Sequence, residues 1–213
     1  MTRYKIQTRK DMYEFISADR SRQNIPHPFL SWLTFSEDML TRKYLTVLRH
    51  LEYHLNRVEL LKTDKKEYFK NFASGLFLVP YNIIGGGYYY LRWKRLWIKT
   101  GIQIHPNIFG PGLTITHHAF VHVAPPTIVG KNCSLFPMVL FGRNRPGRIE
   151  VGDNVKIGVG VTILAPCKIG SNVFIGAGAV VNKDVPDNCV VAGVPAKVIK
   201  FLEPKADVIN DRT

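Results

Sequence analysis

The sequence predicts an α+β fold: a helical N-terminal domain over residues 1–100, a parallel β-helix of about four to five coils with one inserted loop over 101–200, and a tail at 201–213. Three observations predict it. Apolar residues recur at three- and four-residue steps before residue 100, the apolar period changes to six after residue 108, and residues tolerant of left-handed backbone recur inside that period.

In the N-terminal part, Leu40, Tyr44, Val47, Leu48, Leu51, Leu55 and Val58 mark an amphipathic helix of about six turns docked on a core. The run FASGLFLVPYNII, Phe72 to Ile84, is apolar, but it is short and broken by Pro80, too short to span a membrane. It reads as buried. Gly85, Gly86 and Gly87 then read as a flexible joint, and YYYLRWKRLWIKT as a helix ending at Gly101. This last segment mixes aromatics with Arg92, Lys94, Arg95 and Lys99, which suits either a packed helix with a solvated basic edge or contact with an anionic membrane surface.

The six-residue period is led by Phe109, Ile115 and Val121, then after two extra residues by Val129, Leu135 and Phe141. A second reset at residues 143–150 precedes six uninterrupted hexads led by Val151, Ile157, Ile163, Ile169, Ile175 and Val181, with Val155, Val161, Cys167, Val173, Ala179 and Val185 four places on. Such a period suits a triangular coil of three hexads whose leaders stack inward, stabilised by burial at roughly 25 cal/mol per Å². The fourth position is a corner, which explains Gly112, Asn132, Asn144, Asn154, Gly160, Asn172, Gly178 and Asp184 there; Pro166 marks a corner that must differ.

The 213 residues and 46% hydrophobic content are those of a globular chain, and the basic N-terminus has no apolar run behind it. A cytoplasmic chain without a signal peptide is expected. Cys133, Cys167 and Cys189 are odd in number and lack CxxC spacing, which indicates neither a disulfide framework nor a zinc knuckle. The net charge of +13 is concentrated N-terminally, with 18 Lys/Arg against 9 Asp/Glu in residues 1–100 and 11 against 7 beyond. Charge of this kind favours anionic partners without choosing among them.

The segments GIQIHPNIFGPGLTITH (Gly101 to His117) and IGAGAVVNKDVPDNCVVAGVPAKVIK (Ile175 to Lys200) resemble the hexapeptide-repeat acyltransferases, and among them serine acetyltransferases and polysaccharide O-acetyltransferases. The resemblance covers about half the chain. It implies a left-handed coil, a homotrimer with sites between subunits, and transfer of an acetyl group from acetyl-CoA to a hydroxyl. No metal and no nucleic acid partner are expected. His117 occupies the position of the family's general base, a role for which imidazole is suited near neutral pH. His118, at the fourth place of its hexad, is explained as a left-handed corner.

By the same resemblance Gln103 replaces the acid that steers the base, and Thr116 replaces an acid that precedes it. The family's acceptor-loop motif Asp-Arg-His-Pro corresponds to Asn144-Arg145-Pro146-Gly147, within RNRPGR (Arg143 to Arg148), where only Arg145 is kept and Asn144 replaces the acid. Gly142, Val159 and Ala177 are expected to line the CoA groove, with Lys183 and Lys197 near its phosphates. The missing acids favour a sugar or polysaccharide-precursor hydroxyl as acceptor, with serine, as in cysteine biosynthesis, the alternative. Two further readings stay open: a non-catalytic scaffold docked to a membrane by the basic helices, and a metal enzyme like the carbonic anhydrases of this coil. The second would draw on His117 and His122, with a third histidine from further back than His105, and residues 55–104 contain none.

Overall fold

The computed structural model describes residues 4–23, 37–63, 72–117, 119–143 and 145–203. Among them three helices come first: α1 (Arg9–Arg22), α2 (Glu37–Thr63) and α3 (Phe72–Thr100). Thr8 starts α1 by accepting a hydrogen bond from the Asp11 N–H, while the Asp11 carboxylate accepts from the Thr8 N–H. Two orphan donors of the first turn are thereby satisfied. α3 stops where the sequence indicates, with Gly101 at φ +74° and its N–H 2.8 Å from the Trp97 carbonyl.

α2 and α3 pack antiparallel, His50 stacking on Tyr89 at 4.6 Å and Trp93 Nε1 donating to Tyr44 Oη at 3.0 Å. Two expectations fail here. The run ending at Ile84 is not buried as a block, because α3 carries Ile83 and Ile84 to the outside while Asn82 turns inward to His54. Gly85, Gly86 and Gly87 are helical, not a joint. A Cβ at Gly85 would stand 2.5 Å from His54 Cε1, so glycine is what lets the two helices approach.

Beyond Gly101 the chain winds as a left-handed parallel β-helix with three faces. The first stacks β1 (Ile102–Ile104), β3 (Val121–Val123), β6 (Val139–Arg143), β9 (Thr162–Ala165) and β12 (Val180–Val181). The second stacks β4 (Thr127–Val129), β7 (Ile149–Val151) and β10 (Cys167–Ile169). The third stacks β2 (Thr114–Ile115), β5 (Ser134–Leu135), β8 (Lys156–Ile157), β11 (Val173–Ile175) and β13 (Cys189–Ala192), against which β14 (Lys197–Phe201) turns back antiparallel. Five strands on the first face make five coils. All twelve expected leaders are buried, as are the six residues that follow four places on in the later hexads. At one corner Asn132, Asn154, Asn172 and Asn188 all take positive φ and pass a side-chain hydrogen bond from each to the next at 2.9 to 3.0 Å.

The register corrects the phase of the repeat at both ends. Phe141 pairs with Val123, not with Val121, so the third-face residue Ile115 and its first-face successor Val123 are eight positions apart, where Leu135 and Phe141 are six. The two extra residues therefore belong to the corner between β2 and β3. There the left-handed residue is His117, at φ +61°, and His118 lies outside the described residues. In the last coil Val185 stacks on Ile169, which shortens that hexad; Asp184 is not left-handed and instead accepts the Lys168 N–H at 2.8 Å. Pro166 follows a cis peptide bond, so its corner does differ.

The first coil has no coil before it, and α1 and α2 take that place. Arg49, fully buried, donates to the Asp19 carboxylate at 2.8 Å, to Glu52 at 2.9 Å, and to the carbonyls of Phe109 and Gly110 at 3.0 and 2.8 Å. Asp19 Oδ1 accepts the N–H groups of Gly112 and Leu113, each at 2.9 Å, and Glu52 Oε1 accepts that of Asn107 at 2.8 Å. Tyr44 Oη accepts the Ile104 N–H at 3.0 Å and donates to the Ile104 carbonyl at 3.4 Å. Burial opposes the Arg49 charge, yet the two carboxylates more than offset it and hold the guanidinium above its usual range. Replacing Arg49 by Met strands two buried carboxylates and two carbonyls, and is expected to lower unfolding free energy by about 3–5 kcal/mol in urea titrations. Lys5→Ala, which removes the surface pair with Glu59, should cost under about 1 kcal/mol.

Candidate active site

The enlarged corner between β2 and β3 thrusts His117 outward, with 66% of its side chain exposed. Its Nδ1 lies 3.5 Å from Oε1 of Glu37, the first residue of α2. A carboxylate there favours the tautomer with hydrogen on Nδ1 and leaves Nε2 as the acceptor. Nothing in the sequence marks Glu37 as a partner of His117. In SEDML it reads as an acid in the first turn of a helix, which it also is.

Gln103 does not stand where the resemblance put it. On β1 it pairs in register with His122 of β3, and its Oε1 is 2.6 Å from His122 Nδ1. Strand register explains this, since both side chains point outward from the same face at the same height. His122, stacked over Phe120 with ring centroids 6.4 Å apart, therefore has the oriented imidazole. His105 is nearby; burial first, then the His122 and Lys94 charges, pull its basicity below the usual range.

Val159 and Ala177 share an edge with His117. Ile115, Leu135, Ile157 and Ile175 stack in register, and the residues two places on are His117, Pro137, Val159 and Ala177. Both Val159 and Ala177 are exposed, and the edge between them is cleared: a Cβ at Gly178 meets nothing within 4 Å, and one at Gly160 meets only Gly178 at 4.0 Å. An extended ligand can lie against backbone on such a strip. Gly142 is apart from it, at the far end of β6, beside Ala124 and Pro125 at the neighbouring corner. Lys183 follows β12 and Lys197 lies on β14, both exposed. Thr116 is half-buried, its N–H held by the Leu135 carbonyl at 3.0 Å; Arg145 is exposed on the inserted loop, where Arg148 pairs with Glu150, and Asn144 lies outside the described residues.

The three cysteines are buried in the coil. Burial pushes the Cys133 thiol up to about 12 and Cys167 to about 11, and raises Cys189 as well, so none is a ready nucleophile. Among the described residues no three His, Cys, Asp or Glu side chains converge as a metal-binding group. Also among them, no helix is long and apolar enough to cross a membrane.

Comparison with known proteins agrees with this fold. Residues 148–183 match the family described as bacterial transferase hexapeptide (six repeats). Serine acetyltransferase of Synechococcus elongatus is 38% identical over 118 residues, covering 53% of this chain and 48% of that protein. That of Mycobacterium tuberculosis is 38% identical over 115 residues, covering 50% and 49%. The chain thus spans about half the length of the curated relatives it matches. The crystal structure of Neisseria gonorrhoeae serine acetyltransferase superposes with a TM-score of 0.59 at 25% identity, over 94% of this chain and 72% of that one. The chain resembles hexapeptide-repeat acyltransferases, serine acetyltransferases in particular.

The Gln103 contact has a direct spectroscopic consequence. In imidazole ¹⁵N spectra at about pH 8, where histidine is neutral, His122 should show hydrogen on Nδ1. Gln103→Leu should shift it toward the Nε2–H form; an unchanged spectrum would show that Gln103 does not orient the ring.

Proposed function

We propose that the chain is an acetyl-CoA-dependent O-acetyltransferase with His117 as its general base. The observation that carries this reading is an exposed imidazole, backed by Glu37, at the head of a cleared edge on a hexapeptide coil. His117 Nε2 takes the proton of the acceptor hydroxyl as its oxygen attacks the thioester carbon of acetyl-CoA. The new C–O bond forms, the C–S bond breaks, and the proton returns from the imidazolium to the CoA sulfur. Glu37 holds the imidazole tautomer and stabilises the transient cation, as the acid beside a catalytic histidine does elsewhere. Val159 and Ala177 offer backbone to the pantetheine arm, and Lys183 and Lys197 offer charge to phosphates. Gly142, on the neighbouring corner, fits this groove less well.

Serine is the acceptor that the comparisons support, because the relatives described above are serine acetyltransferases. They give no support to the sugar preference expected from the sequence. What favours a sugar is local: Thr116 stands where the resemblance expects an acid beside the amino acid, and Gln103, in contact with His122, stands where it expects the acid that steers the base. Exposed apolar side chains near the same edge, Phe120, Met138 and Val159, suit packing against a second subunit, in line with a trimer.

A CoA-release assay across serine, homoserine and a panel of sugars and nucleotide sugars decides the acceptor. His117→Ala should lower kcat/KM by roughly 10²–10⁴-fold while the oligomer stays folded; near-normal turnover would sink the assignment. Glu37→Gln should lower it less. Glu37→Asp should restore part of the loss by returning an acceptor to the Nδ1–H. Unchanged turnover in Glu37→Gln would remove Glu37 from the mechanism.

A further inference from the structure

α3 carries a face that the chain's own described elements leave open. Ile84, Leu91 and Ile98 follow one another at seven-residue steps and are 71%, 59% and 83% exposed. Seven residues are close to two turns, so the three side chains form one row along the helix. Ile83 and Tyr90 flank the row on one side and Tyr88 on the other, all exposed. On the Ile83 side the row borders a cleft of about 520 Å³ between α2 and α3, lined among others by Leu55, Val58, Gly86 and Gly87.

The charges that α3 itself carries have one sign. α3 contains no Asp or Glu in its 29 residues, yet carries Arg92, Lys94, Arg95 and Lys99 in its second half. Lys94 Nζ lies 4.0 Å from the Trp97 ring centroid, and Arg92 donates to Tyr88 Oη at 2.7 Å. The charged heads of Lys94 and Arg92 lie over aromatic rings of the same helix, cation–π contacts that keep positive charge beside the apolar row.

We propose that this face of α3 docks on an anionic lipid surface, with the helix lying in the headgroup plane. Ile84, Leu91 and Ile98 enter the acyl boundary, and Lys94, Arg95 and Lys99 meet the lipid phosphates. An exposed apolar row on a helix with basic rims and no carboxylate of its own is the pattern of such interfacial helices, and Glu59, the acid that lines the bordering cleft, is paired with Lys5. The net +9 of residues 1–100, 18 basic less 9 acidic, adds long-range attraction of the same sign. A second copy is the other surface that an apolar row can meet. Two copies of this helix face to face would bring four cations against four with no carboxylate between them, which opposes that pairing. The proposal is independent of acetyl transfer, and its test does not use activity.

The full chain is mixed with vesicles of phosphatidylcholine alone or with about a third phosphatidylglycerol, and sedimented. Binding should be at least ~10-fold tighter to the anionic vesicles and fall by a similar factor when NaCl is raised from about 0.1 to 0.5 M. The triple variant Ile84→Ser, Leu91→Ser, Ile98→Ser should lose this binding, and so should Arg95→Glu with Lys99→Glu, both with an unchanged circular dichroism melt. Two variants with opposite chemistry keep the test meaningful if one folds poorly. No binding to anionic vesicles, or equal binding to neutral ones, overturns the proposal. So does a drop in oligomer mass in the triple variant, which would show that a second copy covers the face.

Discussion

The open end of the coil is the constraint from which the rest of the structure follows. A parallel β-helix satisfies its backbone by stacking, so the first coil presents N–H and C=O groups with no coil beneath them. Leaving one such group buried and unpaired costs about 1–3 kcal/mol. Here the missing coil is replaced by side chains. Asp19 of α1 and Tyr44, Arg49 and Glu52 of α2 meet the backbone of residues 104–113, group by group. The polar face of α2 is thus a template for the coil, and burying Arg49 is tolerable only because its charge and each of its donors are answered. The far end is closed by a cheaper device, the antiparallel return of β14 onto β13.

That docking has a consequence at the other end of α2. Once Arg49, Glu52 and Tyr44 are pinned, the helix axis is set, and Glu37, twelve residues before Arg49 and roughly 18 Å along the helix, is carried to the corner where His117 projects. The corner itself comes from the coil. Two residues beyond the hexad between Ile115 and Val123 cannot stack, because neighbouring coils supply only six positions there, so they are expelled sideways. His117 is exposed for a reason of register, before any chemistry is considered.

The hexad made most of the coil legible, since an inward column of aliphatics admits one reading of its period. It did not locate the extra residues, because Val121 and Val123 are both buried valines and either keeps a period of six in sight; only pairing with Phe141 separates them. Asp184 misled for the same reason, in a hexad shortened where Val185 stacks on Ile169. Gly85 to Gly87 looked like a joint because glycine marks both loose chain and close contact, and the His54 ring that decides between them lies on another helix. The buried ion network left no trace at all. Asp19, Arg49 and Glu52 interrupt no pattern, and charges that meet only in three dimensions have no periodicity to reveal them.

The position of the carboxylate is where the two halves of the molecule meet. In the pattern that the sequence resembles, the acid beside the base belongs to the coil, at the place held here by Gln103. That glutamine is occupied with His122, and the carboxylate near His117 comes from α2 instead. A base steered from within a stacked coil is as rigid as the coil. In the proposed mechanism a base steered by Glu37 is only as well placed as the docking of α2, which rests on Arg49 and its partners. The helical region is then part of the candidate site, and a change at the Arg49 network would reach His117 without touching it, through the angle at which one helix meets the first coil.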